Sequence, residues 1–283
     1  MFRNNEKDTS GQKKGIHFPQ ASLIIAVYNR IDFLEKIFLS LLNQTAKDFE
    51  IIISEDGSSA EVKELIKTYL NLFSYPIKHA WHEDKGFRKT VIANKAVLLS
   101  ASEYLIFIDG DCILHSKFIE SHLKRKQENH ILSGRRVKLN EEITGKITNN
   151  DIIEKSIENP EFWKHHCKRS TIKYGRYTTY QYHLRNIFPN KFQLIGCNFS
   201  MHKNDFITIN GYDERIITRG LEDNNLCHRL IRNGKKIKYL CREAIQYHLY
   251  HTFKDVPYSR ETIRKFTMHE PWTPYGIKKK TSF

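Results

Sequence analysis

The chain has 283 residues, of which 40% are hydrophobic and 12% aromatic, so it is long enough to bury one large core or two small ones. It contains no apolar run of membrane-spanning length, and residues 1–20 lack the apolar region of a signal peptide, so we expect a cytoplasmic protein. The net charge of +14 predicts an anionic partner, which could be a nucleic acid, an anionic lipid surface or a phosphorylated ligand.

Apolar runs alternate with segments of helical periodicity along the first half of the chain. Residues 1–20 are polar and aperiodic, and we expect them to be disordered. Strands are predicted at residues 22–27, 49–53, 77–81 and 104–108, and helices at 31–42, 62–73 and 90–100. Ser58 and Glu61 predict a capping box before the second helix. This alternation is typical of an α/β protein with a mostly parallel, doubly wound sheet flanked by helices.

The second half of the chain has a weaker pattern. Residues 136–190 are rich in Asn, Lys, Tyr and His, and we interpret them as an insertion of helices and loops. Apolar order returns near residues 192–197 and 237–240. At the end of the chain, the basic run Lys278–Lys280 predicts a solvated tail or, alternatively, a peripheral contact with the cytoplasmic face of a membrane.

The cysteines do not form a recognisable metal or redox motif. The chain has five of them, widely scattered and without a C-x-x-C pair. This usage fits a reducing compartment and agrees with the expected cytoplasmic location. The five positions are Cys112, Cys167, Cys197, Cys227 and Cys241.

Three polar segments directly follow predicted strands, at residues 28–30, 55–57 and 109–111. Ligands of doubly wound sheets bind beyond the carboxyl ends of the strands, so these segments should line one crevice. Asp109 and Asp111 place two carboxylates on one face, and Gly110 between them allows a ligand to approach closely. Carboxylates suit Mg²⁺ or Mn²⁺, which could bridge the phosphates of a nucleotide. A polar turn that closes the strand is the alternative interpretation.

Other polar side chains of the same crevice have a ligand-binding and a purely structural interpretation. Asp56 could accept the imide proton of a uracil or the hydroxyl protons of a ribose, or it could be a turn residue beside Gly57. Tyr28 could stack on a base or pack the first turn. Arg88 could contact a diphosphate through two hydrogen bonds, hold an acidic loop, or belong to a solvated basic loop.

Glu222 and Asp223 stand at the start of a predicted helix. One of them could act as a general base while the other orients a sugar, although carboxylates also stabilise the first turn of any helix. His248 and His251 follow the last predicted strand and are candidate metal ligands, or ordinary packing histidines.

Taken in order, these residues resemble the inverting family 2 glycosyltransferases, whose fold is called GT-A. The resemblance covers roughly residues 21–252. It rests on the motifs Val27-Tyr28-Asn29-Arg30, Ser54-Glu55-Asp56-Gly57-Ser58, Gly86-Phe87-Arg88, Ile108-Asp109-Gly110-Asp111 and Glu222-Asp223. The stretches 211–214 and 219–224 also resemble the C-terminal half of galactosyltransferase and chondroitin-polymerase-like enzymes.

The resemblance implies roles for individual residues. Tyr28 and Asp56 would hold the uridine, Asp223 would be the catalytic base, and Glu222 would contact the sugar or the acceptor. Mn²⁺ or Mg²⁺ would bind Asp111, with Asp109 and His248 as further ligands, and His248 matches the family better than His251. The full set implied for the nucleotide sugar is Tyr28, Asn29, Arg30, Asp56, Arg88, Asp109 and Gly110.

The implied reaction is the metal-dependent transfer of a hexose or N-acetylhexosamine from a UDP-sugar, with inversion, to a hydroxyl of a glycan or lipid-linked saccharide. Bacterial surface polysaccharide synthesis is the expected setting. Residues 21–252 would form a single domain, with a nucleotide-binding half at 21–135 and an acceptor-side half at 136–252, followed by a basic extension at 253–283.

The sequence departs from this family pattern at two places. Arg219 stands where the galactosyltransferase-like members tend to carry Trp, which bears on how an acceptor would stack. The Gln-x-x-Arg-Trp motif of processive synthases is absent from the sequence, which indicates transfer of one sugar per binding event.

Rival interpretations remain for the acidic crevice. A nucleotidyltransferase would share the sheet and the metal site, but it would normally carry a Gly-rich loop after the first strand, where this chain has Tyr28-Asn29-Arg30-Ile31-Asp32. A non-catalytic nucleic-acid-binding relative would explain the basic charge but leave the acidic loops unexplained, so no specific nucleic acid partner is expected. A non-catalytic glycan-binding relative is the remaining alternative.

Overall fold

A computed structural model describes residues 17–73, 76–166, 194–240, 242–252, 266 and 270–279. The described strands are β1 (Ala21–Val27), β2 (Phe49–Glu55), β3 (Ile77–Trp81), β4 (Tyr104–Asp109), β5 (Cys112–Leu114), β6 (His130–Ser133), β7 (Arg135–Lys138), β8 (Asn198–His202), β9 (Lys236–Tyr239) and β10 (Ile245–His248). The described helices are α1 (Ile31–Leu42), α2 (Ala60–Leu70), α3 (Lys89–Leu99), α4 (Phe118–Arg125), α5 (Glu141–Lys146), α6 (Asn149–Ile153), α7 (Pro160–His166), α8 (Lys203–Thr208) and α9 (Glu222–Arg232).

The main sheet has seven strands in the order β3-β2-β1-β4-β8-β6-β9. Its first four strands run parallel, β8 is antiparallel to β4 and β6, and β9 is parallel to β6. The predicted mostly parallel α/β sheet is therefore confirmed. A second sheet has three strands in the order β5-β10-β7, and it pairs His248 with Cys112. This pairing places His248 beside Asp111.

The central strands are hydrophobic on both faces because helices cover both sides of the sheet. Leu23 and Ile25 of β1 contribute to one buried cluster, which includes residues of α1 and α2. Ile24, between them, points to the opposite face and joins a second cluster with residues of α3, α8 and α9. This explains why β1 appears in the sequence as a continuous apolar run instead of an alternating pattern.

The start of α2 differs from the sequence prediction. Its N-cap is Ser59, which makes no side-chain capping bond, so the predicted capping box of Ser58 and Glu61 is wrong. Ser58 Oγ instead accepts a hydrogen bond from the backbone N–H of Asn29 at 2.9 Å. The Ser58 hydroxyl therefore bonds to the loop after β1 instead of capping α2. This hydrogen bond connects the loops that follow β1 and β2.

The C-terminal residues 270–279 lie against the segment that contains Asn210 and Glu214. The side chain of Asn210 donates to the carbonyl oxygens of Thr273 and Lys278, and its Oδ1 accepts from the backbone N–H of Lys278. Lys279 pairs with Glu214. The backbone of this segment is thus held to the protein, while the side chains of Lys278 and Lys279 are exposed to solvent. Lys280 and most of residues 253–283 lie outside the described residues, as do residues 1–16 of the expected disordered segment and residues 167–190 of the expected insertion.

No helix in the described part of the chain combines the length and the apolar character that a membrane span requires.

Candidate active site

The three polar segments meet at one edge of the main sheet, because β1, β2 and β4 are adjacent parallel strands. The N–H of Gly110 donates to the carbonyl of Ala26 at 2.7 Å, and the N–H of Asp56 donates to the carbonyl of Val27 at 2.9 Å. A β-carbon at position 110 would stand 2.8 Å from the Ala26 oxygen, so this approach requires glycine. The loops after three strands are therefore held against one another as one crevice.

Asp56 is buried and firmly oriented within this crevice. His82 Nε2 lies 2.7 Å from Asp56 Oδ1, and the backbone N–H of Arg88 donates to Oδ2 at 2.8 Å. Tyr28 stands nearby with 49% of its surface exposed, and its hydroxyl donates to Asp84 at 3.1 Å. That hydrogen bond raises the pKa of Tyr28. A fixed carboxylate and a half-exposed aromatic ring are groups that can bind a nucleoside.

The other side chains assigned to the nucleotide sugar bond within the protein. Asn29 Oδ1 accepts from the backbone N–H of Ser59 at 3.0 Å, so this side chain shapes the loop. Arg30 pairs with Asp32 at 3.1 Å and stacks on the ring of Phe33. The guanidinium of Arg88 donates to the carbonyl of Glu83. These contacts describe how the three residues are held, and their assignment to the nucleotide sugar stays a prediction.

Asp111, His248 and His251 form a candidate metal centre. One ligand atom from each residue lies within 4.8 Å of the others. Asp111 Oδ2 is 3.0 Å from His251 Nε2 and 3.4 Å from His248 Nε2. Both histidines therefore reach the carboxylate, and His251 makes the shorter contact, although the sequence favoured His248. One carboxylate oxygen and two imidazole nitrogens suit a first-row divalent metal.

The pKa values of this cluster reflect the mutual contacts of its members. Burial by itself raises the pKa of Asp111, but the hydrogen bond from His251 and the charge of His248 bring it below the ordinary value. The hydrogen bond to Asp111 raises the pKa of His251. Burial lowers the pKa of His248. The contact with Asp111 thus favours the charged form of His251, whereas burial disfavours the charged form of His248.

Asp109 lies outside that cluster and bonds to Lys89 instead. The ammonium of Lys89 donates to Asp109 Oδ1 at 2.9 Å, and it stands 3.5 Å from Glu222 Oε1 and 3.8 Å from Asp223 Oδ2. The two aspartates of the Asp-Gly-Asp segment therefore have separate partners. Asp109 faces the acid pair, and Asp111 faces the histidines.

The acid pair is buried at the first turn of α9. The side chain of Glu222 is 3% exposed, and its Oε2 accepts from the N–H of Gly220 at 2.5 Å. Asp223 Oδ1 accepts from the Tyr212 hydroxyl at 3.0 Å. Burial and the neighbouring Asp223 raise the pKa of Glu222 to about 7, and burial also raises the pKa of Asp223. A carboxylate with a raised pKa is a stronger base than one in water.

Sequence reasoning missed the residues that orient these carboxylates. Lys89, Tyr212 and His82 each contact a predicted site residue through a side chain. Lys89 directly follows the motif Gly86-Phe87-Arg88, and Tyr212 belongs to the stretch at 211–214, whereas His82 lies in no motif. Proximity to a motif was the available signal for Lys89 and Tyr212, but nothing in the spacing identified their partners.

Comparisons with known proteins agree with this architecture. The family model described as Glycosyl transferase family 2 matches residues 22–209, and the model described as the N-terminal domain of galactosyltransferase matches residues 175–252. Among solved structures, S. aureus TarS 1-349 in complex with UDP-GlcNAc superposes with a TM-score of 0.59 at 13% identity, covering 87% of this chain and 64% of that one. A mannosyltransferase, PcManGT from Pyrobaculum calidifontis in complex with GDP-Man and Mn²⁺, gives 0.56 at 10% identity, covering 83% and 58%.

Curated relatives are similar over part of their length. Validoxylamine A glucosyltransferase of Streptomyces hygroscopicus subsp. jinggangensis is 29% identical over 109 residues, which are 38% of this chain and 25% of the relative. Chondroitin synthase of Escherichia coli is 24% identical over 275 residues, which are 92% of this chain and 39% of the relative. The chain thus spans well under half the length of these relatives. Since the family model covers residues 22–209, and the sheet with its acidic carboxyl edge agrees with it, the chain belongs to glycosyl transferase family 2.

Proposed function

We propose that this protein transfers a sugar from a nucleotide sugar to an acceptor hydroxyl. The observation that carries the proposal is the arrangement of one crevice, in which a carboxylate–histidine cluster and a buried acid pair approach from two sides. Lys89 connects the acid pair to Asp109, which precedes the cluster residue Asp111 by two positions: its Nζ lies 2.9 Å from Asp109 Oδ1 and 3.8 Å from Asp223 Oδ2. Donor activation and acceptor deprotonation would therefore take place next to each other.

The proposed donor is a UDP-hexose or UDP-N-acetylhexosamine, bound by the half at residues 21–135. Asp56 supports this choice because its buried, fixed carboxylate can accept the imide proton of uracil. Tyr28 offers a half-exposed ring on which the base can stack. The solved TarS complex contains UDP-GlcNAc and the PcManGT complex contains GDP-Man, so a guanine nucleotide is the natural comparison in a binding test.

Asp111, His248 and His251 would hold the divalent metal. Their donor set of one oxygen and two nitrogens favours Mn²⁺ over Mg²⁺, which prefers oxygen ligands. When bound, the ion would neutralise charge on the leaving diphosphate. Asp109 was expected to share the metal, but its contact with Lys89 supports a role in holding the donor side of the crevice.

Asp223 is the proposed base. Its Oδ1 is occupied by the Tyr212 hydroxyl, so Oδ2 is the oxygen that accepts the proton of the acceptor hydroxyl. The acceptor oxygen attacks the anomeric carbon from the face opposite the nucleotide, and the configuration at that carbon inverts. Glu222 lies one position earlier on the same turn and would orient the sugar or the acceptor.

The proposed acceptor is a glycan or a lipid-linked saccharide of a surface polysaccharide, received by the half at residues 136–252 with one sugar added per binding event. Similarity to chondroitin synthase over 92% of this chain supports the polysaccharide setting. Hydrogen bonds between Asn210 and residues 270–279 hold the C-terminal segment against this half.

A donor panel tests the proposal. Release of UDP is measured with Mn²⁺ and a series of UDP-hexoses, UDP-N-acetylhexosamines and GDP-mannose. We expect release from one UDP-sugar, its loss with a chelator, and its loss in Asp111→Ala. Asp48→Ala is the matched control, since Asp48 contacts the exposed His17 near the opposite end of β2. No release from any nucleotide sugar in the presence of metal would contradict the proposed function.

A further inference from the structure

Lys89 is placed where a lysine is unfavourable unless something compensates for it. It is the first residue of α3, and a positive charge in the first turn of a helix opposes the helix dipole. Its side chain is only 17% exposed, so its charge is also partly removed from water. The compensation comes from three carboxylates of two distant segments, namely Asp109 at the end of β4 and the Glu222–Asp223 pair of α9.

The helix that carries Lys89 is itself fixed to the segment that leads to the acid pair. The hydroxyl of Thr90 donates to the carbonyl of Ile216 at 3.3 Å. Asn94 donates to the carbonyl of Tyr212 at 3.0 Å and accepts from its N–H at 2.8 Å. Tyr212 in turn donates to Asp223. The ammonium of Lys89 is therefore held in register with the carboxylate proposed as the base.

The carboxylates around Lys89 favour its charged form. Burial by itself would lower its pKa, but Asp109, Asp223 and Glu222 raise it well above the ordinary value. The same ammonium lowers the pKa of Glu222 and Asp223, against the effect of burial. A single fixed cation thus opposes the mutual repulsion of three close carboxylates.

We propose that Lys89 is a positioning residue for glycosyl transfer, which holds Asp109 on the donor side and Glu222 and Asp223 on the acceptor side in one fixed arrangement. The inference rests on the proposed function, because it concerns the geometry of that reaction. Without the ammonium, the three carboxylates separate, and Oδ2 of Asp223 no longer faces the acceptor hydroxyl. The contacts proposed for uridine, at Asp56 and Tyr28, do not involve Lys89 and remain in place.

The test compares Lys89→Met and Lys89→Arg with the control Lys95→Met, which makes the same change at an exposed position of the same helix. For each protein, kcat and KM are measured for UDP release from the active donor, and the Kd of UDP is measured by titration calorimetry with Mn²⁺. We expect Lys89→Met to lower kcat by about 10²-fold or more, with the Kd of UDP unchanged within about threefold. Lys89→Arg should recover a large part of kcat, and Lys95→Met should equal the wild type.

Each outcome decides between the alternatives. Wild-type kcat in Lys89→Met, or a loss confined to the Kd of UDP, would overturn the positioning role while leaving the proposed function intact. A wild-type protein that releases no UDP from any donor would overturn the proposed function and this inference with it. Lys89→Gln is the second uncharged variant, in case Lys89→Met does not fold. It keeps a hydrogen-bond donor for Asp109 but carries no charge, and wild-type kcat in this protein also overturns the proposal.

Discussion

Gly196 lies so close to Asp223 that a β-carbon at position 196 would stand 1.7 Å from Asp223 Oδ2. The carboxylate is therefore enclosed by a bare backbone on one side and by the Tyr212 hydroxyl, which contacts Oδ1 at 3.0 Å, on the other. This contact determines where the proposed base points. It also explains why a glycine precedes Cys197 at this point of the chain, directly before β8.

Gly196→Ala should disturb the base without removing it. The added methyl group must displace the Asp223 carboxylate, and a shift of about 1 Å can lower turnover by roughly 10²-fold. Gly145→Ala is the matched control, because a β-carbon at position 145 meets no atom within 4 Å. Turnover and the Kd of UDP are measured for both proteins. Equal turnover in the two variants would show that Asp223 does not need its present position.

His251→Ala should weaken metal binding. Its Nε2 is the imidazole nitrogen nearest to Asp111, at 3.0 Å, so its loss removes one donor from the cluster. We expect the Kd of Mn²⁺, measured by titration calorimetry, to rise by at least about tenfold. His17→Ala serves as the control, since the His17 side chain is 77% exposed.

The same titration has a predicted pH dependence. Metal binds the neutral imidazole, and the pKa of His251 is raised by its hydrogen bond to Asp111, so the affinity should fall as the pH decreases through that raised pKa. An affinity for Mn²⁺ that is the same in His251→Ala as in the wild type would rule out His251 as a ligand.

Glu222 should make the free energy of unfolding depend on pH. In the folded protein its carboxyl keeps a proton up to a pKa of about 7, whereas the ordinary value is 4.5. The folded state therefore binds the proton more tightly than the unfolded state, and protonation of Glu222 stabilises the fold. This stabilisation is complete below pH 4.5 and is lost as the pH rises toward 7. From pH 5 to pH 8 the free energy of unfolding of the wild type should therefore fall by on the order of 2 kcal/mol relative to that of Glu222→Gln.

Urea unfolding of both proteins at the two pH values measures this difference. Glu64→Gln provides the control, because the Glu64 side chain is 67% exposed on α2. A difference between Glu222→Gln and the wild type that stays constant from pH 5 to pH 8 would mean that Glu222 titrates as it does in water.

The sequence was sufficient for β1 and β4 because burial on both faces leaves continuous apolar runs, and β4 at Tyr104–Asp109 occurs where such a run predicts it. Parallel strands also place their carboxyl ends at one edge, so the positions of Asp56 and Asp109 followed from the strand order alone. The start of α2 could not be predicted in this way. Ser58 bonds to Asn29 of another loop, and such a tertiary contact leaves no mark on local spacing.

The sequence predicted the site residues that lie at strand ends. It did not predict the contacts between side chains that are far apart in the chain. Lys89 precedes Glu222 and Asp223 by more than a hundred residues, so no local pattern relates their charges. In the sequence, His248 and His251 were both candidate ligands after a predicted strand. Only the pairing of β10 with β5 shows how both reach Asp111. Long-range electrostatic partners of this kind require the folded arrangement.

The turnover of Asp223→Asn, measured together with the Kd of UDP, is the most direct test of Asp223 as the catalytic base. Asparagine keeps the size of the side chain and can still accept from Tyr212, but it cannot take the proton of an acceptor hydroxyl. We predict a loss of turnover of roughly 10²- to 10⁴-fold with UDP binding retained, while Asp48→Asn behaves as the wild type. Retained turnover in Asp223→Asn would remove Asp223 from the role of the base.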